Sequence, residues 1–222
     1  MLNKKSKVLF LGKAGDAHTE KALEYVLMCF ETVEHHMGVW GDKLPDSLND
    51  WQGDLIISYL SRWVVPEWLI HRANIAAINF HPAPPNYPGI GCNNFALYNN
   101  ESEYGVTCHH MEKIVDTGRI ISVKVFPLLP NDTIASLLPR IYDHQLILFY
   151  DVLTYALRNG EFQTSDRKWE RAPYTRNEFD ELFEIKLDMT EEEINKRVRA
   201  VSYEGFQPYI KLHGKTFRYT PD

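Results

Sequence analysis

Apolar residues come in two rhythms along this chain. Three short runs, Val8–Leu11, Asp54–Ser58 with its Leu-Ile-Ile centre, and Ile75–Phe80, are nearly unbroken. They are too short for helices and too apolar for a sheet with one wet face, so they predict buried parallel strands. Between them the rhythm changes. Asp16–Phe30 places Ala22, Leu23, Val26, Leu27 and Phe30 on one side and predicts a helix. Thr32–Trp40 alternates and predicts a second strand. Gly41–Gly53 is polar and rich in turn residues, and Val65–Arg72 predicts a short helix with Pro66 in its first turn. Strands separated by helices are the pattern of a doubly wound sheet.

Further on, Asn93–Asn99 predicts a short helix, and Gly105–Met111 and Arg119–Phe126 predict two more strands. Thr133–Arg158 is the longest helical segment, capped by Asp132 or Thr133 and stopped at Gly160. Pro139 predicts a kink in it, or a first turn split from the rest. From Glu161 the character changes: Glu161–Phe179 is polar and irregular and reads as a connecting arm. Thr190–Val201 predicts a helix, with Thr190 and Glu193 spaced for a capping box. Tyr209–Tyr219 predicts a hairpin turning at His213-Gly214. The expected organisation is an α/β domain with a mostly parallel sheet over residues 1–160, and an arm, helix and hairpin over 161–222.

Composition narrows the class. At 222 residues, 44% hydrophobic and 24% charged, the chain can build one good core. Its net charge of −6 argues against a large nucleic-acid surface, which needs clustered cations. No apolar run approaches the roughly 20 residues that cross a bilayer. The basic start ahead of Val8–Leu11 is ended by Gly12-Lys13, too soon for a signal peptide, so a cytoplasmic protein is expected. Cys29, Cys92 and Cys108 are widely spaced, which predicts reduced thiols and neither a disulfide framework nor a zinc site. The pairs His35-His36 and His109-His110 suggest metal, but adjacent strand residues point to opposite faces, so no metal is expected.

Chemistry concentrates after Ile75–Phe80. Asn79 and His81 are two apart on a strand that ends in a loop with four prolines from Pro82 to Pro88. Residues two apart share a face, so both side chains can enter one cleft. An amide can donate to a developing oxyanion without titrating, and an imidazole can donate and also move a proton. The plain alternative has Asn79 capping a loop and His81 packing beneath the prolines. Asp116, in an Asp116-Thr117-Gly118 turn, either bonds local backbone amides or orients the imidazole. His109, on the strand leading to Asp116, can line the same cleft. Lys13, at the end of the first strand, either meets a phosphate or sits at the surface.

The combination of Asn79-Phe80-His81-Pro82, Pro85–Gly91, Gly105-Val106-Thr107 and Asp116-Thr117-Gly118 with Ile120-Ile121 resembles the formyltransferases that use N10-formyltetrahydrofolate. The likeness covers roughly residues 7–160 and implies a Rossmann-like formyltransferase core. It implies that Asn79, His81 and Asp116 are the catalytic residues. It further implies that Ser58, Tyr59, Leu60, Trp63 and Val64, with Asp116, hold the folate. The proline loop and the start of the next helix (Pro84, Asn86, Tyr87, Gly89, Gly91 and Asn93), with Lys13 and His109, would form the acceptor's wall. Among branches of the family, the chain is most similar to the nucleotide-sugar N-formyltransferases. That similarity implies a nucleotide-linked amino sugar, commonly a dTDP-4-amino-4,6-dideoxy sugar, as acceptor and a homodimer as assembly. Pro88 departs from the pattern, standing where many relatives carry Arg. A transferase for another amine, a hydrolase releasing formate, or a binding domain that kept the fold are the competing readings; dependence on an amine separates them.

Overall fold

The computed structural model describes residues 1–220, and its chain order follows the sequence rhythm closely. Strand β1 (Lys7–Lys13), helix α1 (Ala17–Cys29) and strand β2 (Thr32–Gly38) lead. A 3-10 turn at Asp46–Asp50 precedes β3 (Gly53–Tyr59), a one-turn α2 (Glu67–Ile70) and β4 (Ala73–His81). Helix α3 (Cys92–Tyr98), β5 (Glu103–His110), β6 (Ile120–Pro127) and the long α4 (Ile134–Asn159) follow. Then come α5 (Arg176–Phe183), α6 (Glu191–Val201) and the hairpin β7 (Tyr209–Leu212) with β8 (Lys215–Arg218). Among the described residues no helix is long and apolar enough to cross a membrane.

The main sheet has the order β2-β1-β3-β4-β5-β6. The first four strands are parallel; β5 runs antiparallel to β4 and β6 antiparallel to β5. Side-chain parity sorts each strand between two apolar layers. Val8, Phe10, Ile57, Tyr59, Ile78 and Phe80 face α1 and α4, while Leu9, Leu11, Ile56 and Ala77 face Leu48, Trp51, Val65 and Leu69. Leu182, Phe183, Ala200 and Val201 from α5 and α6 join the first of these layers, so the C-terminal helices share the main core.

Three expectations need correction. Pro139 does not split α4, which runs unbroken from Ile134 to Asn159. Both Pro139 and Ala135, four residues before it, are exposed, so the carbonyl left without an N–H faces water, where the loss is small. The first turn is also pinned by a Thr133–Ser136 capping box and by the Arg140–Asp132 ion pair. Second, the capping box of α6 is only half made. Thr190 accepts from the Glu193 N–H at 3.2 Å, but the Glu193 carboxylate instead accepts from the Tyr98 hydroxyl at 2.8 Å and from Arg197 at 2.6 Å. Third, the last residues of the polar arm are helical. Thr175 and Glu178 form a full capping box at the start of α5.

Candidate active site

Strand parity decides which polar groups meet. On the face opposite α1 and α4, Ser58 of β3 pairs with Asn79 of β4, and Asn79 pairs with His109 of β5. Three polar residues therefore stand abreast across three strands, with His81 two residues beyond Asn79 on the same face. They lie at the carboxyl ends of the parallel strands, where open α/β sheets keep their crevices. A cleft of about 450 Å³ opens there, a size usual for small-molecule sites.

Asp116 closes the cluster from above. It sits at φ 51°, in the left-handed region, which Asp tolerates better than most residues. The turn needs the small Gly118 behind it, because a Cβ there would collide with the His110 carbonyl. Held this way, Asp116 reaches between two imidazoles. Oδ2 is 3.3 Å from His81 Nδ1, Oδ1 is 3.3 Å from His109 Nε2, and the Gly89 N–H donates to Oδ2 at 2.9 Å. All three side chains are buried. Burial pushes the Asp116 carboxyl up, but the His81 charge, the bond and charge of His109 and the Gly89 N–H outweigh it, holding it well below the usual carboxylate range. Asp116 is thus an anion clasped by two rings.

The other ring nitrogens are also committed. His81 Nε2 donates to the Tyr87 carbonyl at 3.0 Å, and His109 Nδ1 donates to the His110 carbonyl at 2.7 Å. With Nε2–H so used, His81 Nδ1 carries a second proton toward Asp116 whenever the ring is charged. The Asn79 amide contacts His109 Nε2 at 3.2 Å. One amide, two imidazoles and a carboxylate thus form one contiguous polar cluster, with Asn79, His81 and Asp116 on the cleft wall. Such a cluster can stabilise negative charge on an oxygen in the cleft and can accept and pass on a proton.

Of the predicted folate residues, Ser58, Leu60, Trp63 and Val64 line this cleft. Tyr59 does not: next to Ser58 in the strand, it must face the other way, and it packs against Phe80 and Phe149. Its hydroxyl is buried without a partner. Of the predicted acceptor residues, Gly89 and His109 line the cleft, and His109 does so as a member of the polar cluster. Pro84, Asn86, Tyr87, Gly91 and Asn93 are not brought to it. Pro84 packs under the Gly105 backbone. Asn86 lies in the loop beneath the arm, whose Glu170 N–H donates to the Pro85 carbonyl. Tyr87 is buried, its hydroxyl donating to Glu101 at 2.6 Å and accepting from Asn99, and only its carbonyl serves the site. Gly91 caps α3 at φ 71° with Phe179 against it, and Asn93 is the second residue of that helix. Lys13 is tied to Asp16 at 2.9 Å and rests over the Tyr142 ring.

The arm supplies what the sequence rhythm did not signal. Trp169 meets His109 edge-on at 5.0 Å between ring centres and His81 at 5.8 Å, and its Nε1–H donates to the Gly118 carbonyl at 2.7 Å. It thereby covers both imidazoles and latches the turn that presents Asp116. Tyr174 lines the cleft and lies against Gly89, whose missing Cβ makes room for the Tyr174 backbone. At the mouth, the Arg62 guanidinium lies 4.7 Å over the Trp40 ring.

Comparison with known proteins gives a consistent picture. The family described as formyl transferase matches residues 25–153. The methionyl-tRNA formyltransferase of Lactobacillus gasseri is 30% identical over 169 residues, 74% of this chain and 52% of that protein. The GDP-perosamine N-formyltransferase of Brucella melitensis is 27% identical over 170 residues, 76% of this chain and 64% of that protein. The chain spans about half the length of the first of these curated relatives. An N-formyltransferase from Helicobacter canadensis, solved with folinic acid and dTDP-3-aminofucose, has the same fold. Its TM-score is 0.70 at 19% identity, over 96% of this chain and 85% of that one.

Proposed function

This chain belongs to the formyl transferase family, and on that premise we propose that it moves the formyl group of N10-formyltetrahydrofolate to the amine of a nucleotide-linked amino sugar. The observation that carries the reading is the cluster of Asn79, His109, Asp116 and His81 at the head of the cleft, with Asp116 clasped between the two rings. The likeness to a fold solved with folinic acid and a dTDP-aminosugar supports the choice of donor and acceptor. We take a dTDP-4-amino-4,6-dideoxy sugar as the acceptor and a formamido sugar of O-antigen or another surface lipopolysaccharide as its use. A cytoplasmic homodimer completes the proposal.

Each residue has a task in this reaction. The acceptor amine, arriving neutral, forms a C–N bond to the formyl carbon, and negative charge grows on the formyl oxygen. Asn79 donates to that oxygen, a donor worth about 3–4 kcal/mol in comparable sites, and the charged form of His81 offsets the growing negative charge electrostatically. Asp116 holds His81 oriented, and its negative charge favours the positive nitrogen of the attacking amine until that nitrogen gives up its proton. As the bond from the formyl carbon to the folate N10 breaks, that proton passes to the departing N10. Ser58, Leu60, Trp63 and Val64 wall the folate end of the cleft.

The test is direct. The protein is incubated with N10-formyltetrahydrofolate and a panel of dTDP-, UDP- and GDP-linked amino sugars, and products are read by mass spectrometry. The expected result is a gain of one formyl group on an amino sugar, with no formate released in its absence. Formate release without an amine would make the protein a hydrolase and overturn the reading.

A further inference from the structure

A second cavity lies on the far side of the turn that carries Asp116. It is a groove of about 690 Å³ between Thr117–Ile120 and the arm residues Ser165–Trp169. Arg119, Arg167 and Lys168 line it, against the single acid Asp166. Among the described residues none of these three cations has a carboxylate within ion-pair distance, and none of their side chains makes a hydrogen bond. By contrast Arg140 sits on Asp132, Arg171 on Glu178 and Arg197 on Glu193. Three unpaired cations lining one groove repel one another, and an anionic ligand relieves that repulsion.

The cleft by itself offers no comparable anion site. Among its lining residues Arg62 is the one Lys or Arg, and it is stacked on Trp40. The groove, by contrast, borders the cleft: Val115 and Asp116 line the cleft, and the next two residues, Thr117 and Gly118, line the groove. Gly118 is two residues from Asp116, at most about 7 Å along the chain, a gap that one pyranose ring bridges. Arg presents a planar fork to phosphate oxygens and Lys a mobile point charge. Ser165 accepts from the Arg167 N–H, which leaves its hydroxyl proton free to donate.

We infer that this groove binds the diphosphate of the nucleotide-linked acceptor, so that the sugar crosses the Asp116 turn and delivers its amine to the cleft. The inference rests on the acceptor class proposed above. It assigns Arg119, Arg167 and Lys168 to acceptor binding and leaves the folate untouched by them.

The double variant Arg167→Gln/Lys168→Gln and the single variant Arg119→Gln test it, since all three side chains lie outside the core. Calorimetry measures dTDP and GDP binding to the full chain, with thymidine as the uncharged control, and steady-state kinetics follow formyl transfer. The expected result is a weakening of nucleoside-diphosphate binding and a rise in the acceptor KM, each about tenfold or more. The folate KM and kcat should stay within about twofold, and Lys168→Arg should retain binding. Unchanged acceptor KM in variants of an enzyme that does formylate a nucleotide sugar would overturn the groove while leaving the proposed reaction intact. A matching rise in the folate KM would assign the groove to the folate's glutamate tail and also overturn it. A wild-type protein that binds neither dTDP nor GDP would remove the groove assignment and the acceptor class together.

Discussion

Replacing Asp116 by Asn keeps the shape of the cluster and removes its charge. In the wild type the carboxylate accepts from the Gly89 N–H and lies 3.3 Å from His81 Nδ1 and from His109 Nε2. A hydrogen bond to a charged group contributes about 1.5–3 kcal/mol and one between neutral groups about 0.5–1.5. Losing the charge across three contacts therefore costs about 3 kcal/mol. For a chain of this size each kcal/mol moves Tm by about 2–4 °C, so Asp116→Asn should melt about 6–12 °C lower at pH 7. The loss has a pH signature. Asp116 is held below its ordinary value of 3.8, so its contribution is fully present above that value and fades as pH falls through and below it. Thermal melts of both proteins from pH 7 down to about pH 2 should show a gap that is full at neutrality and narrows only once pH falls below the ordinary carboxylate value. A gap that stays constant over that range would refute the clasped anion. So would a variant more stable than wild type at pH 7, because the buried charge would then cost more than its partners return.

Three further outcomes follow from the same geometry. Asn79→Ala should lower kcat about 10²–10³-fold with little change in either KM, because the amide acts on charge that develops during reaction; stopped-assay kinetics with both substrates check it. Trp169→Phe should keep most of the edge contact with His81 and His109 but lose the latch on Gly118, costing about 1 kcal/mol in a melt. Trp169→Ala should also admit water to both rings, lowering kcat and displacing the pH–rate profile. Tyr59→Phe removes a buried hydroxyl that has no partner, so a denaturant titration should find stability unchanged or higher by up to about 1 kcal/mol; a clear loss would mean the hydroxyl is satisfied.

How much of this the sequence disclosed depends on the range of the interaction. The parallel strands were legible because their apolar runs leave few alternatives, and Asn79 and His81 share a face by parity alone. The same parity separates Ser58 from Tyr59, so reading that stretch as one folate-binding run overlooked a rule the strand itself imposes. Helix α5 was legible too: Thr175 and Glu178 have capping-box spacing, and Phe179, Leu182 and Phe183 follow at helical intervals. The surrounding polarity masked it. The proline loop was expected to be the acceptor's wall, yet most of it is buried, because the arm lies over it with its Glu170 and Tyr174 N–H groups bonded to the Pro85 and Pro88 carbonyls. Trp169 had no local signal at all. Its partners His81, His109 and Gly118 lie far upstream, and only folding the arm back brings them together.

That fold-back has a consequence for how such a protein can change over time. The arm covers the His81 and His109 rings on one side and lines the cationic groove on the other. A substitution that retunes the groove for a new acceptor sits one or two residues from the ring that shelters the histidines. If the groove holds the acceptor as proposed, acceptor preference and turnover rate are not independent traits in this chain. A graft of residues 161–175 from a relative would carry both together, and a lineage exploring new sugars would drift in speed as it did so.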